Sequence, residues 1–155
     1  MPLISIPYKV LEDIEKALEL KDGSVFYDLG CGNGRILFYL AHKYPNVKFI
    51  GIENAKFPIL IANIISWLNK KINNIDVKII KRSFFDVDLS RATHIFTYLY
   101  PDIMNDLLPK LKKELKPKTR LVSVSFYFKD KKEIKEINLK RNKYQLAQKI
   151  YIYEF

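Results

Sequence analysis

Two hydrophobic rhythms alternate along the chain. Residues 9–20 (KVLEDIEKALEL) place Val10, Leu11, Ile14, Ala17 and Leu18 at the spacing of a helix buried on one side. The Lys21-Asp22-Gly23 turn closes that helix, and a short apolar run at 24–29 reads as a buried strand. A second helix carries Ile36, Leu37, Leu40 and Ala41 and stops before Pro45. Residues 48–53 form the next strand, and Asn54 is a candidate cap for a helix that tolerates Pro58 in its first turn and runs to about 69. Strands follow at 77–83 and 94–99, then a helix at 102–115 between Pro101 and Pro117, then a strand at 120–128. A short strand near 133–139 and an alternating strand at 149–155 complete the pattern.

Strand–helix alternation predicts an α/β fold, a Rossmann-like, mostly parallel sheet with helices on both faces. The last two strands have no helix between them, which suits an antiparallel hairpin at one edge. The 155 residues fit one domain with no large insert. Ligands on such sheets bind at the carboxyl ends of the strands, where the strand order switches.

One apolar stretch is ambiguous. Residues 57–68 (FPILIANIISWL) are interrupted only by Asn63 and Ser66 and are too short to span a bilayer. The ordinary reading is a helix buried between the sheet and its neighbours; the sharper one is a sticky surface for a partner or a second copy.

Composition adds two facts. Only five glycines occur, where about eleven would be usual, and three of them stand at 30, 32 and 34. The net charge is +10, and residues 70–155 carry all of it: residues 1–69 hold seven Lys/Arg against seven Asp/Glu. That basic half reads either as a surface for RNA, the ribosome or an acidic partner, or as the mark of a lysine-rich proteome. The single Cys31 excludes a disulfide framework, and His42 and His94 alone make a metal site unexpected. The N-terminus lacks the basic-then-apolar pattern of a signal peptide, so a cytoplasmic location is expected.

The chemistry concentrates in Asp28-Leu29-Gly30-Cys31-Gly32-Asn33-Gly34, at the end of the first strand. Glycines there permit a sharp turn and close backbone approach to a ligand. The spacing is GxGxG; Arg35 stands where a dinucleotide fingerprint places its third glycine. Glu53 closes the second strand, in position to take two ribose hydroxyls.

This combination resembles the class I, seven-stranded methyltransferases that use S-adenosylmethionine, over nearly the whole chain. The resemblance implies that Asp28 helps hold the amino acid part of the cofactor and that the Gly30, Cys31, Gly32 turn passes against it. It implies that Glu53, with Asn54 beside it, holds the ribose, and that Ser83, Phe84 and Phe85 meet the adenine. Ser83 stands where many members carry an acid, and Asn33 replaces another frequent acid. The strings DLGCGNGRI, SFFDVDLSRATHIF and LLPKLKKELKPKTRLVS, with Ile6-Pro7-Tyr8 ahead of the first helix, are similar to the small archaeal broad-specificity protein-lysine methyltransferases and their mitochondrial relatives. That narrower likeness implies a lysine-containing protein substrate; an RNA or a small-molecule acceptor is the alternative.

In the wider family the acceptor site follows the fourth strand, here Thr97-Tyr98-Leu99-Tyr100-Pro101. The (D/N)PP(Y/F) motif of enzymes that methylate exocyclic base amines does not stand there. Tyr98 and Tyr100 suit an aromatic wall around a cation, with Tyr98 favoured as the acceptor-positioning residue and core packing of one tyrosine as the alternative. Methyl transfer needs alignment more than acid–base work, so no dedicated base is required. His94 opens a strand and is expected to be structural, and Cys31 is not expected to act as a nucleophile.

Overall fold

The computed structural model describes Ile6, residues 8–139 and residues 148–155. Pro7 of the Ile6-Pro7-Tyr8 segment and residues 140–147 of the basic tail lie outside the described residues.

Seven strands form one sheet: β1 (Val25–Leu29), β2 (Lys48–Glu53), β3 (Val77–Lys81), β4 (His94–Thr97), β5 (Arg120–Val124), β6 (Lys135–Asn138) and β7 (Lys149–Glu154). Their order is β3-β2-β1-β4-β5-β7-β6. The first five pair in parallel, and β7 lies antiparallel between β5 and β6. The helices are α1 (Tyr8–Leu18), α2 (Arg35–Ala41), α3 (Lys56–Asn73) and α4 (Pro101–Glu114). The expected parallel sheet with a terminal antiparallel hairpin is the observed one.

Alternation along the strands sorts side chains between two cores. Phe26, Phe96, Val122 and Ile152 pack with α1 and α2 on one face. Tyr27, Ile95, Leu121 and Tyr153 pack with Met104, Leu107 and Leu111 of α4 on the other. Strand β1 is the hinge of the topology, because β2 flanks it on one side and β4 on the other. Asp28 therefore sits between Gly51 and Phe96, and the crevice above it opens at the switch in strand order.

Several boundaries differ from expectation. The strand expected at 120–128 ends at Val124, where Ser125 turns the chain with φ 65° and donates its N–H to the Lys149 carbonyl. Ser123 Oγ bonds the Phe126 carbonyl at 2.6 Å and tightens that turn. The fourth strand ends at Thr97, because the chain must reach Pro101, which opens α4 and holds Tyr100 extended. Helix α3 runs beyond 69 to Asn73 and closes on a left-handed Asn74. Its N-cap is Ala55, not Asn54, and no side chain caps it; Glu53 Oε1 receives the N–H groups of Asn54 and Ala55, just ahead of the helix, at 2.8 Å.

The ordinary reading of residues 57–68 fails. Only Pro58, Ile59 and Ala62 of α3 are buried; Ile61 and Ile65 are half-buried, and Phe57, Leu60, Ile64, Trp67, Leu68 and Ile72 are exposed. β3 is an edge strand, so α3 covers a sheet margin, and among the described residues nothing covers those exposed side chains.

His94 takes the structural place expected of it, buried at the start of β4 with Nδ1 2.8 Å from Thr93 Oγ1. Burial, then the nearby Arg120 and Lys21 charges, depress its pKa from 6.5 to about 4. A histidine kept neutral by folding is protonated in the unfolded chain first. Stability is therefore full above about pH 6.5 and falls as the pH drops toward about 4. Urea denaturation should give a lower stability at about pH 5 than at about pH 7.5. His94→Gln should shrink that difference, and an equal difference in the variant would exclude His94 as its source.

Candidate active site

A cavity of about 430 Å³ opens above the carboxyl ends of β1, β2 and β4. Its floor is the glycine turn. Gly30, Gly32 and Gly34 have φ of 78°, 55° and 79°, a region where a Cβ is strained. The turn is strapped to β2: the N–H groups of Gly30 and Cys31 donate to the Ile52 carbonyl at 2.8 and 3.1 Å. The Gly32 N–H donates to Glu53 Oε2 at 2.9 Å, and the Gly34 N–H closes back on the Cys31 carbonyl. Those four N–H groups are engaged within the protein. The glycines thus offer the cavity a surface without side chains, not a set of donors as the turn first suggests.

Asp28, Gly30, Gly32, Glu53, Asn54, Ser83, Phe84 and Tyr98 all line the cavity, so the structure brings together all but one of the residues singled out in the sequence. The exception is Cys31. Its buried side chain points down toward Gly51 and Leu37, and burial, Asp28 and Glu53 all push its thiol pKa up, which leaves it inert.

Asp28 is the most constrained of the set. It is 2% exposed and lines the cavity. Desolvation raises its pKa well above the ordinary value, and the charge of Glu53 adds to the rise. A buried carboxyl group at a cavity wall favours a cation beside it. Ser83 Oγ accepts the Phe85 N–H at 3.3 Å and caps the single 3₁₀ turn Phe84–Asp86. That turn sets the Phe84 and Phe85 rings 4.9 Å apart at the cavity wall.

The opposite wall is aromatic. Tyr98 and Tyr100 both line the cavity, so neither is lost to the core. The Phe126 ring lies 6.1 Å from Tyr98 and 5.7 Å from Tyr100. Burial raises the Tyr98 pKa against a hydrogen bond from the Ser125 side chain, so the phenol stays protonated. Phe126 and Ser125 carried no motif in the sequence; the turn after β5 brings them here.

Gly51 was also missed, because it lies inside a strand. A Cβ there would stand 2.5 Å from Leu37 Cδ1 and 2.7 Å from Cys31 Sγ. The glycine is what lets the turn settle against β2.

The residues fit S-adenosylmethionine on chemical grounds: two carboxylates, a glycine surface and the apolar faces of Phe84 and Phe85. A glycine turn after the first strand, an acid before it and an acid closing the second strand define a nucleoside-binding methyltransferase fold. Comparison with known proteins agrees. The chain belongs to the family of the ANTKMT methyltransferase domain, whose model matches residues 28–135. It is an S-adenosylmethionine-dependent methyltransferase. It is 35% identical over 128 residues to a protein-lysine N-methyltransferase of Saccharolobus islandicus, an alignment covering 81% of this chain and 77% of that protein. A 72-residue segment is 36% identical to (S)-tetrahydroprotoberberine N-methyltransferase of Eschscholzia californica, covering 45% of this chain and 20% of that one. In fold it is similar to an RNA methyltransferase from Salinibacter ruber solved with S-adenosyl-L-homocysteine, with a TM-score of 0.85, 24% identity, and 97% and 93% of the two chains covered.

Gly51→Ala should destabilise the protein by about 1–3 kcal/mol through overpacking under the turn. Denaturant titration measures the loss, and calorimetry with S-adenosylhomocysteine should show weakened binding in the same variant. A variant of unchanged stability would mean that the turn does not rest on Gly51.

Proposed function

We propose that this methyltransferase acts on protein lysine side chains. One observation carries the reading: in a protein of net charge +10, the described residues lining the cavity include the tyrosines Tyr98 and Tyr100 and no lysine or arginine. Such a cavity favours a cationic acceptor and disfavours a phosphate backbone. The resemblance to a protein-lysine N-methyltransferase over most of the chain supports the same choice.

Bound here, S-adenosylmethionine supplies an electrophilic methyl on a cationic sulfur. Asp28 offers its carboxylate to the ammonium of the cofactor's amino acid part. Glu53 already accepts three N–H bonds, which leaves about one acceptor site on its carboxylate. It takes one ribose hydroxyl, not the two expected from sequence, and Asn54 stands beside it for the other. Phe84 and Phe85, with Ser83 at the base of their turn, receive the adenine.

Tyr98 and Tyr100, backed by the Phe126 ring, form the acceptor side. Their faces hold a lysine ammonium by cation–π attraction and strip its water. Desolvation lowers the lysine pKa from about 10.4, so the proton leaves to solvent and the nitrogen lone pair is freed. No side chain need act as base. Tyr98 is a positioning residue, its hydroxyl steadied by Ser125.

Asp28→Asn should weaken S-adenosylmethionine binding about tenfold or more in calorimetry, since a charge-assisted bond becomes a neutral one. Tyr98→Ala should leave that affinity intact and lower kcat/KM for a lysine-bearing protein roughly 3- to 30-fold, with a smaller loss for Tyr98→Phe. Incubation of the enzyme with methyl-labelled cofactor and cell extract decides the acceptor class. Label that survives nuclease, is lost to protease and hydrolyses to methyl-lysine supports the reading. Label lost to nuclease assigns the enzyme to RNA and overturns it.

A further inference from the structure

Helix α3 carries a surface that methyl transfer does not use. Phe57, Leu60, Ile64, Trp67, Leu68 and Ile72 lie along one side of it, at steps of three and four residues. All are exposed: Phe57 to 70%, Trp67 to 60% and Ile72 to 72%. The helix buries Pro58, Ile59 and Ala62 instead, so its apolar stripe points away from its own core. The stripe runs about 22 Å at 1.5 Å per residue. A stripe of this kind on a soluble chain marks an interaction surface.

The charges around it select the partner. Helix α3 contains no acidic residue. Lys56 stands in its first turn, and Lys70 and Lys71 in its last. The Lys71 ammonium lies 4.9 Å from the centre of the Trp67 ring, and Lys70 is shared with exposed Asp76 at 3.3 Å. A second copy packed antiparallel on this face would set Lys56 against Lys70 and Lys71, like charge on like. An anionic bilayer surface complements both halves of the pattern. Apolar side chains enter the boundary below the headgroups, and the lysines extend to the lipid phosphates. Trp and Phe are suited to that boundary, and the net charge of +10 adds attraction from a distance.

We propose that α3 is a peripheral docking helix that seats the enzyme on anionic membranes. It lies on the surface and does not span: among the described residues no helix is long and apolar enough to cross. The stripe starts at Phe57, two residues beyond Ala55, which lines the active-site cavity. Docking therefore brings the cavity close to the bilayer surface, whichever acceptor it serves.

Trp67 is the only tryptophan, so its fluorescence reads the stripe directly. With vesicles of equal parts phosphatidylglycerol and phosphatidylcholine, its emission should shift to the blue, brominated acyl chains should quench it, and the protein should co-sediment. Pure phosphatidylcholine should do much less, and raised salt should weaken binding. The Leu60→Glu, Ile64→Glu double variant should lose about tenfold or more of the vesicle partition. It should keep its circular dichroism spectrum and its affinity for S-adenosylhomocysteine, which separates lost docking from lost folding. No blue shift and no sedimentation with the anionic vesicles would overturn the proposal. So would light scattering that shows a dimer in solution abolished by the same double variant, which would assign the stripe to a second copy.

Discussion

The carboxylate of Glu53 holds three backbone N–H groups, and the upper edge of the sheet is organised around it. One oxygen takes the Gly32 N–H at 2.9 Å; the other takes those of Asn54 and Ala55 at 2.8 Å. A single side chain thus ties the glycine turn to the end of β2 and fixes the two residues that lead into α3. Charge-assisted bonds of this kind are stronger than neutral ones, and three of them converge on one group. The turn that follows β1 and the helix that follows β2 are set in register by the acid between them. A residue that looks like a ligand contact is first a structural clamp, and its place at the cavity wall follows from that.

Charge is divided in space as well as along the chain. The surplus of cations in residues 70–155 stays off the cavity, whose described lining residues hold two carboxylates and aromatic rings. Desolvation keeps Asp28 well above its ordinary pKa until a cation arrives beside it. The contrast between a basic exterior and an acidic cavity lets one molecule meet anionic surfaces outside and hold positive groups within. The aromatic wall depends on the turn after β5, where Ser125 adopts φ 65° and Phe126 comes into ring contact with both tyrosines.

Much of this was legible beforehand. The period-two and period-3.6 patterns placed the strands and helices, and the glycine turn with Asp28 and Glu53 located the cavity. The misses share a cause, which is that one-dimensional pattern does not say what lies across from a residue. The strand at 120–128 looked continuous because its apolar residues run on; the hydrogen bonds of Ser123 and Ser125 break it. Gly51 looked like an ordinary strand residue, and only the approach of Cys31 and Leu37 explains it. Asn54 had the chemistry of a cap, yet the helix starts one residue later, with Ala55 in the cap position and the Asn54 N–H bound to Glu53.

The sequence by itself determined the class of fold, the order of its elements and the acid–glycine–acid set that lines the cavity, because local periodicity and turn chemistry act over a few residues. Tertiary structure alone decided which side of α3 faces water, which N–H groups of the turn remain for a ligand, and how Tyr98, Tyr100 and Phe126 come together. Those outcomes depend on strand order. With β3 at the sheet edge, α3 has nothing among the described residues to pack its outer stripe against. With β4 and β5 adjacent, two segments some 25 residues apart in the chain share one aromatic wall.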